Sequence, residues 1–198
     1  MNYEPSGGTP DTGGWRSSAG KRKHPLNEQQ KTLEAFQRLP SIEPREMIGL
    51  WRGRGIPSSH PFDDVLENLG WFGKRFTAGL RADALLFRSG QHRLVPIDPA
   101  RIPVRLALHF HKVGTTRAAK NLFSYLQRGL QAKGPVASLK TMTFQGVTSA
   151  AMAYDEQPIV DHFRRIDERK IMGAMVIEGD ERIYFFELEQ VEPRSGSA

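Results

Sequence analysis

Two stretches of the chain carry side chains that could bind a charged group or transfer a proton. The first is Trp71–Phe76, where Lys74 and Arg75 stand among three aromatic residues. The second is 154–165, which combines a tyrosine, two aspartates, a histidine and two arginines. Aromatic walls beside a single cation suit an amphipathic anion, whereas a titratable cluster suits general acid–base catalysis.

The strand predicted over Trp71–Phe76 gives the first stretch a possible binding role. An extended chain alternates its side chains between two faces, which yields two sets of residues: Phe72, Lys74 and Phe76, against Trp71, Gly73 and Arg75. Whichever set points inward, aromatic rings and one cation reach the interior of a sheet. The alternative is a cation at the rim that extends to water.

Within the second stretch, three residues could act together on a substrate. His162 would serve as the base, Asp155 would orient it, and Tyr154 would donate a hydrogen bond to a developing oxyanion. Asp161 and His162 are adjacent, so a strand would point them to opposite faces. The alternative is an ion-paired network that fixes the corner at 155–159.

Small residues and methionines in the last third indicate either a cavity or a close approach of backbones. Ser149, Ala150, Ala151 and Ala153 share one predicted strand, and a second contains Gly173 and Ala174. Protein interiors fill to a packing density near 0.75, so small side chains leave space unless a neighbour enters it. The residues expected to line such a site are Trp71, Phe72, Phe76, Met152, Tyr154, Phe163, Met172 and Met175, with Lys74 or Arg75 and with Arg164 holding an anionic head.

The sequence predicts no metal ion or other cofactor. It contains no cysteine, which excludes disulfides and thiolate metal sites. His109 and His111 share one face of a predicted strand, but two ligands are too few to predict a metal. Haem is a weaker alternative, since it would need one well-placed axial histidine. A phosphate-binding glycine loop and a Gly-x-Ser-x-Gly elbow are both missing.

Composition and charge predict a soluble, cytoplasmic protein without a nucleic-acid partner. The 198 residues carry a net charge of +6, but the clustered cations are confined to Lys21–Lys23, inside a Gly- and Ser-rich stretch over residues 1–24 that we expect to be disordered. No apolar run reaches the roughly 18 residues that span a bilayer, and the N-terminus lacks the apolar core of a signal peptide.

Periodicity predicts an α+β fold dominated by an antiparallel sheet. Helices are expected over Asn27–Arg38, around Pro44–Ile48, around Phe62–Leu69 and over Thr116–Gln131, the last presenting Ala119, Leu122, Phe123, Leu126 and Leu130 to the core. Strands are expected from Gly49, over Trp71–Phe76, Ala84–Arg88, His92–Ile97, Val104–His111, Leu139–Phe144, Val147–Tyr154, Ile171–Ile177 and Arg182–Glu189. The span Ile159–Ile166 is open between strand and helical turns.

Two groups of sequence segments resemble two protein families that are known to occur together. Gly49-Leu50-Trp51-Arg52-Gly53, His60-Pro61-Phe62-Asp63 and the run from Gly70 to Phe76 resemble the bacterial GXWXG domain. The runs Phe144–Asp155 and Gln157–Arg164 resemble the domain of unknown function DUF4334. The resemblance implies a calycin-like (lipocalin-like) β-barrel, with residues 25–192 as a single domain that has a GXWXG-like part at 49–105 and a DUF4334-like part at 134–191.

In that comparison Trp51, flanked by Gly49 and Gly53, is similar to the tryptophan that closes one end of lipocalin-like barrels. Arg182 would be its stacking partner. The resemblance supplies no settled activity, so the functional prediction comes from the residues. They predict a binding protein for a small hydrophobic or amphipathic anionic ligand, such as a lipid or fatty acid. The alternative is a cofactor-independent isomerase or hydrolase that uses Tyr154, Asp155 and His162, and the oligomeric state stays open.

Overall fold

The computed structural model describes residues 25–90, 93–102 and 114–192. The predicted strand at Val104–His111, the tail at 1–24, and His109 and His111 lie outside these residues. The elements are the helices α1 (Pro25–Arg38), α2 (Val65–Asn68) and α3 (Arg117–Leu130), short 3₁₀ helices at Pro44–Met47 and Pro99–Arg101, and the strands β1 (Gly49–Ile56), β2 (Trp71–Phe76), β3 (Arg81–Ser89), β4 (Arg93–Pro96), β5 (Ala137–Phe144), β6 (Val147–Tyr154), β7 (Ile159–Arg165), β8 (Lys170–Ile177) and β9 (Tyr184–Gln190).

Eight of these strands form a closed, antiparallel ring. The hydrogen-bonded order runs β2-β1-β9-β8-β7-β6-β5-β3, and β2 pairs with β3 to complete the circuit. β4 pairs with β3 outside the ring. The predicted antiparallel α+β class is therefore confirmed. The span 159–166, for which the sequence allowed either a strand or helical turns, forms the strand Ile159–Arg165.

A bulge in β2 decides which of its side chains point into the ring. Gly73 has a φ of +145°, and a Cβ there would lie 2.0 Å from the Trp51 carbonyl oxygen. The β2–β3 register shifts on both sides of Gly73, so Trp71 and Lys74 share the inner face despite their spacing of three. The prediction that side chains alternate strictly along β2 is therefore wrong. Trp71 points inward together with Lys74, and Phe72 lies outside the ring between the guanidinium groups of Arg52 and Arg88.

The sheet has a core on each side of its β7–β9 region. The inner core lies inside the ring and includes Trp51, Phe76, Phe163 and Phe186. The outer core lies under α1, where Phe36 packs with Met172, Ala174 and Phe185. Strand alternation separates the two sets, since Phe185 and Phe186 are neighbours in β9 that point to opposite sides. Strand β8 is apolar on both faces because both faces are covered.

Helix α3 departs from its predicted orientation. Phe123 packs on Phe87 with ring centroids 4.7 Å apart, and Gln127 is buried, so this side of the helix faces the sheet. Leu122 and Leu126 were expected in the core, yet they are 60% and 44% exposed. Helical spacing alone could not distinguish a core stripe from an apolar stripe on the adjoining face.

Among the described residues, no helix is long and apolar enough to cross a membrane.

Close packing at Gly53 gives a test of the ring architecture. A Cβ at this position would lie 2.3 Å from the Trp71 ring, so we expect Gly53→Ala to lower the free energy of unfolding by about 1–3 kcal/mol. Urea denaturation measures this change. The matched control is Gly129→Ala in α3, where the added Cβ meets open space and should raise stability by up to about 1 kcal/mol. Equal effects at the two positions would contradict the packing described.

Candidate functional site

Asp161 lies at the centre of an inward-facing row that crosses five strands. The strand registers place Leu139 opposite Met152, Met152 opposite Asp161, Asp161 opposite Met175, and Met175 opposite Tyr184. Asp161 has no exposed surface. A carboxylate is therefore held between two thioether side chains inside the ring, where an uncompensated charge would be costly.

Lys74 supplies the compensating charge from β2. Its Nζ lies 2.8 Å from Oδ2 of Asp161, donates to the carbonyl oxygen of Ala84 at 3.0 Å and to the hydroxyl of Tyr154 at 3.4 Å. The same ammonium group lies 5.0 Å from the ring centroid of Phe186 and 5.8 Å from that of Trp71. The aromatic walls predicted around one cation are present, and the cation is buried among them with a carboxylate as its partner.

The Asp161, Lys74 and Tyr154 side chains form a coupled polar group, which we call the inner triad. Burial raises the pKa of Tyr154 well above its ordinary value, and the negative charge of Asp161 raises it further. Burial also raises the pKa of Asp161, while Lys74 and the Tyr154 hydroxyl oppose that rise. The phenol is therefore a neutral donor at physiological pH, aimed at a carboxyl group that holds a proton more readily than usual.

Several buried polar atoms around the inner triad lack a hydrogen bond within the described part of the chain. Both carboxylate oxygens of Asp161 fall short of normal hydrogen-bond geometry, although Oδ2 contacts Lys74. The indole N–H of Trp71 and the hydroxyl of Tyr184 have no partner there either. Buried polar groups are normally satisfied, so this set requires an explanation.

His162 lies on the opposite side of β7 from Asp161, as strand alternation predicts. Its ring stacks on Phe144 at 4.2 Å between centroids, with an interplanar angle of 8°. Burial and the nearby positive charge of Arg164 lower the pKa of His162 to about 4. The imidazole is therefore a neutral packing group of the outer face at physiological pH.

Arg164 is also directed outward, so it does not hold a ligand head in the ring. Its guanidinium lies 5.1 Å from the ring centroid of Phe36 in α1 and donates to the carbonyl oxygens of Phe144 and Val147. Arg75 is on the outer face as well, in an ion pair with Asp83. Lys74 is the predicted cation that does enter the ring.

The proposed acid–base trio is not assembled. Asp155 is 38% exposed and forms an ion pair with Arg81, which lowers the pKa of the carboxyl through its hydrogen bonds. His162 is on the outer face, and Tyr154 points into the ring. The predicted grouping of Tyr154, Asp155 and His162 is therefore wrong, and the ion-paired corner proposed as its alternative describes Asp155 correctly.

The predicted apolar lining is present in most of its members. The inner core contains Trp71, Phe76, Met152, Tyr154, Phe163 and Met175. Phe72 and Met172 were also expected there, but Phe72 is outside the ring, and Met172 packs under α1.

Small residues in β6 and β8 permit close packing. A Cβ on Gly173 would lie 2.2 Å from the Phe186 ring, so that ring occupies the space the glycine leaves. Ala174 faces α1, and the Ser149 hydroxyl donates to the carbonyl oxygen of Phe163. Close approach explains Gly173 better than the predicted cavity does. A cavity of about 680 Å³ lies outside the ring, between β4 and α3.

Trp51 connects the ring to the 3₁₀ helix before it. Its indole N–H donates to the carbonyl oxygen of Met47 at 2.7 Å, and the side chain is 2% exposed. Gly49 has a φ of +134°, which favours glycine. Arg182 is engaged with Asp180 rather than stacked on Trp51. These contacts support the structural role predicted for the Gly49–Gly53 motif.

Sequence reasoning missed the pairing of Lys74 with Asp161 and the inward hydroxyl of Tyr184. Asp161 was part of the polar cluster, and alternation with Ile159 and Phe163 would have identified it as the inward polar residue of β7. The residues described here contain no group of three or more metal-ligating side chains.

Comparison with known proteins confirms the resemblance. Residues 34–91 match the family described as GXWXG protein, and residues 135–190 match the domain of unknown function DUF4334. The solved structure titled "Crystal structure of protein from Thermomonospora curvata" is similar, with a TM-score of 0.60 and 26% identity over 83% of this chain and 88% of that one. The comparison with curated proteins gave no match.

The buried ion pair should show strong energetic coupling. Lys74→Met or Asp161→Leu alone strands one charged or polar group, so each should lower the free energy of unfolding by about 3–5 kcal/mol, and the double variant should recover most of that loss. Urea denaturation of all four proteins gives the coupling. The exposed pair Arg81–Asp155 is the control, with less than about 1 kcal/mol expected. Additive losses at Lys74 and Asp161 would contradict the pairing.

The neutral state of His162 predicts a pH-dependent loss of stability. In the unfolded chain His162 takes up a proton below pH 6.5, whereas in the folded chain it does so only below about pH 4. The free energy of unfolding therefore decreases as the pH falls across that interval. Between pH 7 and pH 5 we expect the wild type to lose about 2 kcal/mol more than His162→Phe, in urea denaturation at each pH. Parallel losses in both proteins would show that His162 titrates normally.

Proposed function

We propose that this chain, with its GXWXG and DUF4334 segments closing one ring, is a calycin-like barrel that binds a small amphipathic molecule inside. The observation that carries the proposal is the set of buried polar atoms inside the ring that lack a hydrogen bond among the described residues: Oδ1 of Asp161, the Trp71 indole N–H and the Tyr184 hydroxyl. Binding sites combine an apolar lining with a few convergent polar groups. Here Asp161 lies between Met152 and Met175 in the strand register, and Lys74 lies against the Phe186 ring.

The charge balance specifies the polar end of this ligand. Lys74 already faces Asp161 at 2.8 Å, so the triad is close to neutral. An anionic head would bring an additional charge into a dry interior, and Arg75 and Arg164 are directed away from it. We therefore propose a ligand with an uncharged polar group, such as a hydroxyl, a carbonyl or an amide. This replaces the anionic head group predicted from the sequence with an uncharged polar group.

A second candidate function follows from the raised pKa of Asp161 beside a neutral phenol. In a cofactor-independent isomerase, the Asp161 carboxylate would take a proton from a carbon next to a carbonyl group and return it to another carbon. Tyr154 would donate a hydrogen bond to the carbonyl oxygen while it carries negative charge. This candidate replaces the trio of Tyr154, Asp155 and His162.

We also propose that residues 25–192 fold as one domain. The GXWXG segment supplies β1–β3 and the DUF4334 segment supplies β5–β9, and the ring depends on the β1–β9 and β3–β5 pairs between them. Neither segment has enough strands to close this ring by itself.

A matched pair of fluorescent probes tests the binding proposal. N-phenylnaphthylamine is uncharged, and anilinonaphthalene sulfonate adds one negative charge to the same rings. We expect saturable binding of the uncharged probe and binding at least about tenfold weaker for the sulfonate, because the interior has no spare cation. Fluorescence titration measures both affinities.

Tyr184→Phe locates that binding inside the ring. It removes an unpaired hydroxyl, so the free energy of unfolding should change little, whereas the probe affinity should fall about three- to tenfold if the hydroxyl contacts the amine. Tyr125→Phe, on a side chain that is 83% exposed, is the matched control and should leave the affinity unchanged. Preference for the sulfonate, or equal effects of the two substitutions, would contradict the proposal.

A further inference from the structure

An apolar stripe on α3 is exposed on the outside of the protein. Leu122, Tyr125 and Leu126 are 60%, 83% and 44% exposed, and their spacing of three and four residues places them together on one helix face. Phe123 and Gln127, on the next face, attach the helix to the sheet. The stripe is therefore presented by a helix whose other side is anchored.

The same helix carries positive charge without any acidic residue. The stretch 117–133 contains Arg117, Lys120, Arg128 and Lys133 and no aspartate or glutamate, although the chain as a whole has 22 acidic residues. Arg93 of β4 lines the cavity of about 680 Å³ beside the helix, together with Tyr125 and Arg128. Arg93 and Arg128 therefore border the exposed stripe on one surface, whereas Lys120, two residues before Leu122, lies on the opposite side of the helix.

We propose that this surface of α3 binds an anionic lipid bilayer. Helices that lie in a membrane interface insert leucine and aromatic side chains and place lysine and arginine against acidic head groups. The two leucines and the tyrosine provide the inserting group, and Arg93 and Arg128 beside them provide the charge complement. This interaction is separate from ligand binding in the ring and does not depend on it.

The apolar component distinguishes a lipid surface from nucleic acid. Binding to RNA or DNA backbone needs the cations alone and gains little from two exposed leucines. A bilayer gains from both components, because burial of the leucine side chains adds to the attraction of acidic head groups. Retention of a short RNA is therefore the contrasting outcome of the test.

Co-sedimentation with vesicles tests the surface in the full-length protein. We expect binding to phosphatidylcholine vesicles that contain about 30% phosphatidylglycerol, and weak binding to phosphatidylcholine alone. The triple variant Leu122→Ser, Tyr125→Ser, Leu126→Ser should reduce partitioning roughly tenfold or more. The charge-reversal variant Arg93→Glu, Arg128→Glu should abolish the preference for anionic vesicles, and added salt should weaken the binding of the wild type.

The control is Ile48→Ser, Ile166→Ser, which removes two other exposed apolar side chains that are 36% and 38% exposed. This variant should sediment like the wild type. Circular dichroism and thermal unfolding verify that every variant folds. No sedimentation of the wild type with anionic vesicles, equal loss in the control, or retention of a short RNA in place of vesicles would each overturn the proposal. Weakened probe binding in the ring would leave it intact, because the two sites are separate.

Discussion

The ion pair between Lys74 and Asp161 is the constraint on which the interior of this protein depends. A fully buried carboxylate in β7 requires a cation at hydrogen-bond distance, and Lys74 of β2 provides it at 2.8 Å across the ring. For Lys74 to face inward together with Trp71, β2 must carry its bulge at Gly73. Because buried ion pairs rarely add net stability over apolar residues of similar size, stability alone does not account for this pair.

The pair also determines what chemistry the interior can support. Its two charges offset one another, so the interior has hydrogen-bond donors and acceptors without a free charge. Tyr154 couples to both members, and the Tyr184 hydroxyl and the Trp71 indole N–H add two buried polar groups that have no hydrogen bond among the described residues. The proposed neutral amphipath would satisfy these atoms, whereas an anion would have to compete with Asp161 for Lys74.

Local patterns were sufficient to predict most of the elements. Strand β2 was placed at Trp71–Phe76, and alternation correctly separated Asp161 from His162. The errors arose where a local sequence pattern is compatible with two different placements of the same side chains. Strict alternation misplaced Trp71 and Phe72, because a bulge at Gly73 cannot be read from the period of the side chains. Helical spacing put Leu122 in the core, because it does not show which stripe meets the sheet.

For the site, the sequence predicted the types of residue present but not the contacts between them. The cation among aromatic rings was identified from six consecutive residues, but its partner Asp161 is 87 positions away in sequence and meets it only when the ring closes. Proximity in sequence instead favoured a site formed by Asp155 and His162. Strand alternation places His162 on the outer face, and Asp155 forms an ion pair with Arg81. Non-local pairing across a closed sheet is the information that the linear pattern lacks.

Fluorine NMR on protein labelled with fluorotyrosine tests most directly whether the interior binds a ligand. The chain has four tyrosines, of which Tyr154 and Tyr184 face the ring and Tyr125 is exposed, and single Tyr→Phe variants assign the signals. On titration with N-phenylnaphthylamine, the resonances of Tyr154 and Tyr184 should shift together and saturate while that of Tyr125 stays fixed. Saturable probe fluorescence with a shift at Tyr125 alone, or with unchanged interior resonances, would contradict a binding site inside the ring.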